Sequence, residues 1–556
     1  MLAKIYGLIT PIFLLGFIST SHAEEVETFS IDLPSTNGTI PLNIQEISVH
    51  GIEFSHTSEN TYYNRIRDVI DTYEIATEPT SYLKITKRIV DNDDYFIFTT
   101  LENHSNQPIH LDVTFHVADT SYYSLDSFDR FRTGPRINDE INADLTTNPF
   151  GLLTTFKEKQ FDSNFMVGKL YHSKVMTERY DDGRQSILRE LISEKQNFEI
   201  DINKDELLLK INMKSLGKDI MDHWLLASDK PLFDSEKSYE DWMSIYRKYR
   251  YKNNTWYTAD GPYAKVVKSA KPAPKSQLQY ARNLLIVRED IPLSRYKETG
   301  ERYFYDLILN SVANLEIFKG EKNYWETEYT SHWLQQKYGI EAPYIDTRHN
   351  EGVALFLEEV GRLFNLPELE HTLTNYADFL VNQIEKGFVI EVDQDAYLIS
   401  DYFTYHQATK KTHSSLNHVL GGMNLLLETY QKTGDKKYLT AATNIQNGID
   451  KIGTDWLNDK GDTWYQINTD LTFQGEDYTL LTLNDLLNSL ELWKKIDKSR
   501  TEVFKTLVRS KAKYLQGEDI KFTDEIISLL QENGFSDILI KKDEQDKKWS
   551  IFGIEF

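Results

Sequence analysis

The hydrophobic pattern of this chain changes period once, and that change limits its architecture more than any other feature. From about Ser30 to Leu225 apolar residues alternate with period two and are interrupted by Asn, Asp, Gly and Pro. Beyond Gln277 the period is that of helices, which come in pairs separated by short turns containing Gly or Pro. Period two buries one face of a strand, and a period near 3.6 buries one stripe of a helix. A chain that keeps the two segregated folds as an antiparallel β domain followed by an all-α domain.

In the β part, Asp94 to Leu101 and Ile109 to Val117 flank a turn-forming Glu102-Asn-His-Ser-Asn-Gln-Pro108, and read as a hairpin. Phe198 to Ile202 and Leu207 to Met213, across Asn203-Lys-Asp-Glu206, read as a second. The region 24–225 is therefore expected to be an antiparallel β-sandwich or barrel-like domain.

Residues 226–276 form a connector with a helix. Between Arg247 and Lys275 it carries Arg247, Lys248, Arg250, Lys252, Lys265, Lys268, Lys271 and Lys275 against a single acid, Asp260. It reads equally well as a solvated linker and as a strip that contacts a polyanion.

Residues 277–516 are expected to form an α/α toroid of repeated helical hairpins. Glu298-Thr-Gly-Glu-Arg-Tyr-Phe304 and Lys432-Thr-Gly-Asp-Lys-Lys-Tyr438 each end one helix at Gly and open the next with an acid. Between Ser414 and Tyr430, Leu416, Leu420, Met423, Leu427 and Tyr430 form an apolar stripe, with Asn417, Gly421 and Asn424 beside it. Tyr478, Thr482, Asp485 and Ser489 flank Leu483, Leu487 and Leu490 in the same way, and both helices suit the lining of a cavity. The final residues, 517–556, read as one more helix and a strand-like end from Trp549 to Phe556.

At the N-terminus Lys4 precedes an apolar run from Ile5 to Ile18 that is too short to span a bilayer, and Ser21 and Ala23 supply the small residues a signal peptidase reads. The expectation is a cleavable signal over 1–23, a mature chain from Glu24, a secreted or periplasmic location and no membrane insertion after cleavage. There is no Cys among the 556 residues, so stability outside the cytoplasm has to come from burial rather than disulfides. A formal net charge of -24 argues against nucleic acid as a partner.

The sequence has no His-Glu-x-x-His, Walker loop, GxSxG elbow or EF-hand loop, which removes many enzyme classes. Asp91, Asp93 and Asp94, or Asp393 and Asp395, leave a structural calcium open, and His406, His413 and His418 lack helical ligand spacing for zinc. No cofactor is expected.

Four segments carry more information: Leu398-Ile-Ser-Asp-Tyr402, Ser415-Leu-Asn-His-Val-Leu-Gly-Gly422, Asp462-Thr-Trp-Tyr-Gln-Ile467 and Asp477-Tyr-Thr-Leu-Leu-Thr-Leu-Asn-Asp-Leu-Leu487. In order and spacing they resemble the C-terminal domain of D-glucuronyl C5-epimerases of the heparan sulfate and heparosan type. That family has an acid-Tyr pair, a Leu-Asn-Gly helix, a Thr-x-Tyr-Asp-Leu-Arg turn and a closing Asp-Tyr-His-Thr-Thr-His-x-Asn-x-Leu helix. The resemblance covers roughly Ala396 to Leu490. It implies catalytic roles for Asp401, Tyr402, Tyr465 and Tyr478, and substrate contacts from Asn417 and Asn484. The chain departs from the pattern at Asn468, which stands where the family has its arginine and is kept as a substrate-contacting candidate. It departs again at Thr479 and Thr482, which replace histidines. Arg348 and His349, opening another predicted inner helix, are the candidates for the missing charge.

Inverting C5 of a uronic acid removes a weakly acidic proton beside a carboxylate and returns one to the other face, so acid/base groups must flank the ring. A phenol has a pKa of about 10, and a tyrosine serves as a base only where a cation or donor lowers it. The resemblance thus implies conversion of D-glucuronic to L-iduronic acid residues in a uronic acid-containing polysaccharide. Rival readings are a polysaccharide lyase, a hydrolase whose paired carboxylates cannot be singled out among 86 acids, and a glycan-binding protein without activity. Oligomeric state stays open, with a homodimer one option.

Overall fold

The computed structural model of the chain describes residues 26–31, 43–50, 54–120, 122–127, 151–195, 198–204, 206–248, 256–274, 276 and 278–539. The expected signal segment and the strand-like end from Trp549 lie outside these residues. Within them the chain is a β part followed by an α part, as its change of period requires.

Two antiparallel sheets build the β part. One has five strands in the order Val26–Ile31, Asn43–His50, Ile109–Ala118, Glu206–Ser215 and Phe198–Asn203. The other has twelve, its main path running through Phe54–Tyr63, Ile66–Ile75, Ser81–Val90, Tyr95–Asn103, Asp219–Ser228, Leu170–Arg179 and Gln185–Lys195. Leu111, Val113 and Phe115 of the first sheet and Leu83, Ile85 and Ile97 of the second share one buried cluster, so the sheets pack face to face as a sandwich. Burying each such side chain contributes on the order of 1.5–3 kcal/mol.

The expected pairing of Phe198–Asn203 with Glu206–Ser215 is present. The other expected hairpin is not. Tyr95–Asn103 pairs with Ser81–Val90 and Asp219–Ser228 in the large sheet, whereas Ile109–Ala118 pairs with Asn43–His50 and Glu206–Ser215 in the small one. The turn between them carries the chain from one sheet to the other. Alternation determines which side chains of a strand face the core and is silent on its hydrogen-bonding neighbour.

The basic connector is woven into the sandwich. Ala264–Lys265 pairs with Gln279–Ala281, which pairs with Gln185–Lys195 of the large sheet. Trp256 is fully buried and stacks on Tyr171 at 5.0 Å, with the Arg189 guanidinium 4.8 Å from its ring. Of the lysines in its C-terminal half, Lys268 is exposed while Lys271 donates to Gln335 Oε1 at 2.6 Å.

The helices follow as antiparallel pairs. Asp290–Thr299 ends at Gly300 and Leu416–Thr433 ends at Gly434, both glycines left-handed with φ of 70° and 72°. These are the two turns expected from the Thr-Gly repeats, and the conformation is one that glycine adopts without a Cβ penalty. Helices Arg302–Lys319, Thr347–Phe364, Leu416–Thr433 and Leu480–Ile496 bury side chains around most of their circumference. Partners such as Lys436–Ile452 and Glu502–Gly517 bury one stripe only and form the outer layer. The β and α parts are fixed to each other by buried Arg88, which donates to Asp68 at 2.8 and 2.9 Å and to Asn310 and Asn314 of the first inner helix at 2.7 Å.

Candidate functional site

Three inner helices present their N-terminal turns to one another. Asp346 caps Thr347–Phe364 by accepting from the His349 backbone N–H at 2.9 Å. From the first turn, Thr347 Oγ1 lies 2.8 Å from His418 Nδ1 on the second helix. Arg348 Nη1 donates to the Asn417 carbonyl at 3.2 Å, and Nη2 to Asp485 Oδ1 on the third helix at 2.9 Å. Short strands roof this end: Ile345–Asp346 pairs with Tyr402–Phe403, and Ser414–Ser415 pairs with Trp464–Ile467. The segments singled out in the sequence therefore meet here.

Asp401 stands at the centre and is fully buried. Its Oδ1 accepts from the Ser415 backbone N–H at 2.7 Å and its Oδ2 from the Ser415 hydroxyl, and His413 Nε2 lies 3.0 Å from that same Oδ2. Burial alone would raise its pKa, but His418, His413 and Ser415 outweigh it and keep the carboxyl below its ordinary value.

The tautomer of His418 is assigned from the bonds of Thr347. Thr347 Oγ1 donates its one proton to the Asp401 carbonyl at 3.0 Å, so its lone pair accepts from His418 Nδ1–H. That leaves Nε2 with a free lone pair. Burial also lowers the imidazole pKa, so His418 is neutral at pH 7.

Two of the three tyrosines border this centre directly. Tyr402 lies 5.8 Å from the His418 ring and 5.9 Å from the His413 ring, and Tyr465 is 6.2 Å from His413. Tyr478 packs edge-on against Tyr465 at 5.7 Å and is 52% exposed, at the mouth rather than in the wall. It also precedes its helix, which starts at Leu480, whereas the periodicity placed it inside. All three phenols are raised above their ordinary pKa, first by burial and then by the negative charge of Asp346 or Asp401. None has a cation that lowers it, so at neutral pH they are proton donors.

Arg348 does not offer its charge freely. Besides Asp485 it bonds Glu351 at 3.0 and 3.1 Å, and this buried set is accommodated because residue 421 is Gly: a Cβ there would strike both Arg348 Nη1 and Glu351 Oε2 at 2.0 Å. Burial pushes Glu351 up to about 8 and Asp485 up to about 6. Asp485 Oδ2, Asn417 Oδ1 and Asn484 Oδ1 are buried without a hydrogen-bond partner among the described residues. Unpaired buried acceptors are groups that a hydrogen-bond donor on a ligand would satisfy. His349 lies at the same helix start, with Nδ1 3.5 Å from Asp346. Asn468 lies on a turn, bonded to Gln466 and Thr472, and lines a cleft on which His413 also borders.

Sequence reading weighed His413 and His418 only as metal ligands and gave no role to Glu351 or Thr347. The Ser415 segment contained His418, but a lone histidine on a helix gives no sign of its tautomer. The aspartates considered for calcium have other partners: Asp91 bonds Arg65 and Tyr305, Asp94 pairs with Arg302, and Asp393 with Lys451. His406 is 2.6 Å from Glu326 and away from the other two histidines' partners. Among the described residues no three His, Asp or Glu side chains converge as a metal site.

No protein-family profile matches the sequence, and no curated protein matches it. Among solved structures, a GH76 α-mannanase from Bacteroides thetaiotaomicron is similar at 16% identity and a TM-score of 0.28 over 41% of this chain. The chain spans 58% of that structure's length. A family 76 glycoside hydrolase from a bovine strain of the same species gives 10% identity and 0.34, covering 76% of this chain and 75% of its own. A polysaccharide lyase gives 10% and 0.21, covering 93% and 81%. At such low TM-scores none of them assigns a fold or an activity to this chain.

Proposed function

We propose that the chain is a polysaccharide-modifying enzyme acting at C5 of uronic acid residues, most simply as an epimerase that converts D-glucuronic to L-iduronic acid. The observation that carries this reading is the adjacency of the neutral His418 imidazole and the protonated phenol of Tyr402, whose rings lie 5.8 Å apart at the buried Asp401 centre. A ring held between a base and an acid loses H5 to one and regains a proton from the other, which is inversion. In this scheme His418 Nε2 takes the C5 proton and Tyr402 or Tyr465 supplies the returning one. Asp401 stabilises the imidazolium that forms, while the unpaired amide oxygens of Asn417 and Asn484 are acceptors for substrate hydroxyls and Arg348 stays held by Glu351 and Asp485. The helical layer is read as part of an α/α toroid with this centre at its inner helix starts. The role of the tyrosines thus shifts from base to acid, because burial and two aspartates hold them protonated.

The same base and acid also serve β-elimination, in which the carbanion expels the C4 substituent instead of being reprotonated. Incubation with heparosan in deuterated water separates the outcomes. Deuterium at C5 with iduronate signals is the expected result, an unsaturated product absorbing in the near ultraviolet marks a lyase, and no exchange in any uronate polymer ends both.

A further inference from the structure

Beside the tyrosine centre, and sharing His413 with it, lies a second cleft of about 600 Å³ bordered by Lys337, Lys410, Lys411, Tyr338 and Asp470. Its size falls in the range of roughly 300–1,000 Å³ usual for ligand sites. His413 is a common wall: its ring is 5.7 Å from Tyr338 on this side and 5.9 and 6.2 Å from Tyr402 and Tyr465 on the other. The Tyr338 hydroxyl is fixed by His413 Nδ1 at 2.9 Å.

The charge of this cleft is opposite to that of the chain, whose formal net charge is -24. Among the described residues, Lys337 and Lys410 have no carboxylate within ion-pair distance, and Lys411 reaches only Glu391, at 4.0 Å. The one acid on the rim, Asp470, accepts from the Thr472 hydroxyl at 2.6 Å and the Thr472 N–H at 3.1 Å. The ammonium groups of Lys337 and Lys410 are thus charges that an anionic ligand in the cleft can pair. At the edge, Trp333 is 43% exposed, packs on Tyr338 at 5.7 Å and on His413 at 5.5 Å, and has the Lys337 ammonium 5.3 Å from its ring. A held, half-exposed indole beside cations suits the apolar face of a sugar whose substituents are acidic.

The geometry points to a subsite for an acidic sugar, in which Lys337, Lys410 and Lys411 bind the carboxylate or sulfate of a residue neighbouring the one at the tyrosine centre while Trp333 stacks on a ring. The inference rests on the reading of that centre as a uronate site. It moves the polyanion contact from the Lys265, Lys268 and Lys271 strip to a cleft that sequence order did not bring together.

Titration calorimetry across a salt series tests it, using an unsulfated heparosan decasaccharide, a heparin decasaccharide and neutral maltodecaose. Combining Lys337→Gln, Lys410→Gln and Lys411→Gln is expected to weaken both acidic ligands about tenfold and to flatten their salt dependence, leaving the neutral one unchanged. Loss confined to heparin assigns the site to sulfate, and loss for both assigns it to carboxylate. Unchanged affinity and slope, an equal loss on neutralising Lys265, Lys268 and Lys271 instead, or no acidic ligand bound by the wild-type chain overturns it. Lysine-dependent binding without any C5 exchange removes the proposed reaction and keeps the subsite.

Discussion

The Lys511 ammonium, fully buried, donates to Asp477 Oδ2 at 3.0 Å, one residue before Tyr478. It also donates to Asp462 Oδ1 at 2.7 Å and to Thr463 Oγ1 at 3.0 Å, at the start of the strand that carries Tyr465. One cation from an outer helix thus fixes the segments of two candidate acids. Lys511→Met leaves two buried carboxylates facing each other. Loss of one partner of a buried ion pair costs about 3–5 kcal/mol. A lowered denaturant midpoint is expected, together with loss of any C5 exchange at temperatures where the variant is folded. Wild-type stability in the variant would show that the triad is not holding these segments.

Tyr402→Phe, Tyr465→Phe and Tyr478→Phe each keep the ring and delete a hydroxyl, so each should fold, at a cost of about 1 kcal/mol or less unless the hydroxyl is bonded. Tyr402→Phe or Tyr465→Phe is expected to abolish epimerisation while C5 deuterium uptake from the base side persists. Tyr478→Phe, at the exposed mouth, should raise KM more than it lowers kcat. Three variants as active as wild type would remove the tyrosines from the mechanism.

If His418 is the base, the acid limb of kcat/KM lies below the ordinary imidazole value of about 6.5, because burial disfavours the charged ring. Activity should therefore persist as pH falls past that point. His418→Gln should eliminate C5 exchange altogether, and exchange at the wild-type rate in this variant would assign the base elsewhere.

Glu351 sets a pH dependence of stability. Its carboxyl is raised from 4.5 to about 8 in the folded chain, so the folded state binds the extra proton through that window. Its contribution is full below 4.5 and is lost as pH rises towards 8, at up to about 1.4 kcal/mol per pH unit. Asp485, raised to about 6, adds the same sign over a lower window. Melting temperatures followed from pH 5 to 8 should fall more steeply for wild type than for Glu351→Gln, which cannot ionise. Parallel curves would mean that the buried Arg348 cluster does not govern this range.

Much of the scaffold was legible in residue order. Alternation and helical periodicity separated the β and α parts, and Thr299-Gly300 and Thr433-Gly434 marked helix ends because a left-handed residue favours glycine locally. The site was legible as a set of segments: Asp401, Tyr402 and Tyr465 do come together, while Asn468 lines the neighbouring cleft and Tyr478 lies outside its expected helix. His413 was considered only as a metal ligand, since nothing in a sequence tells that a histidine will lie 3.0 Å from an aspartate twelve residues away.

The sequence by itself determined the period of each element, the turns that end helices, and the residue types available for proton transfer, because these depend on local backbone sterics and side-chain chemistry. Only the tertiary structure decided which sheet each strand joined, sending Tyr95–Asn103 and Ile109–Ala118 to opposite sheets. It alone gave His418 its tautomer through Thr347, turned Arg348 inward onto Glu351 and Asp485, and held the tyrosines protonated. Partner choice, desolvation and the sign of the nearest charge are properties of positions in space, and residues as far apart as Arg348 and Asp485 acquire them only when the helices pack.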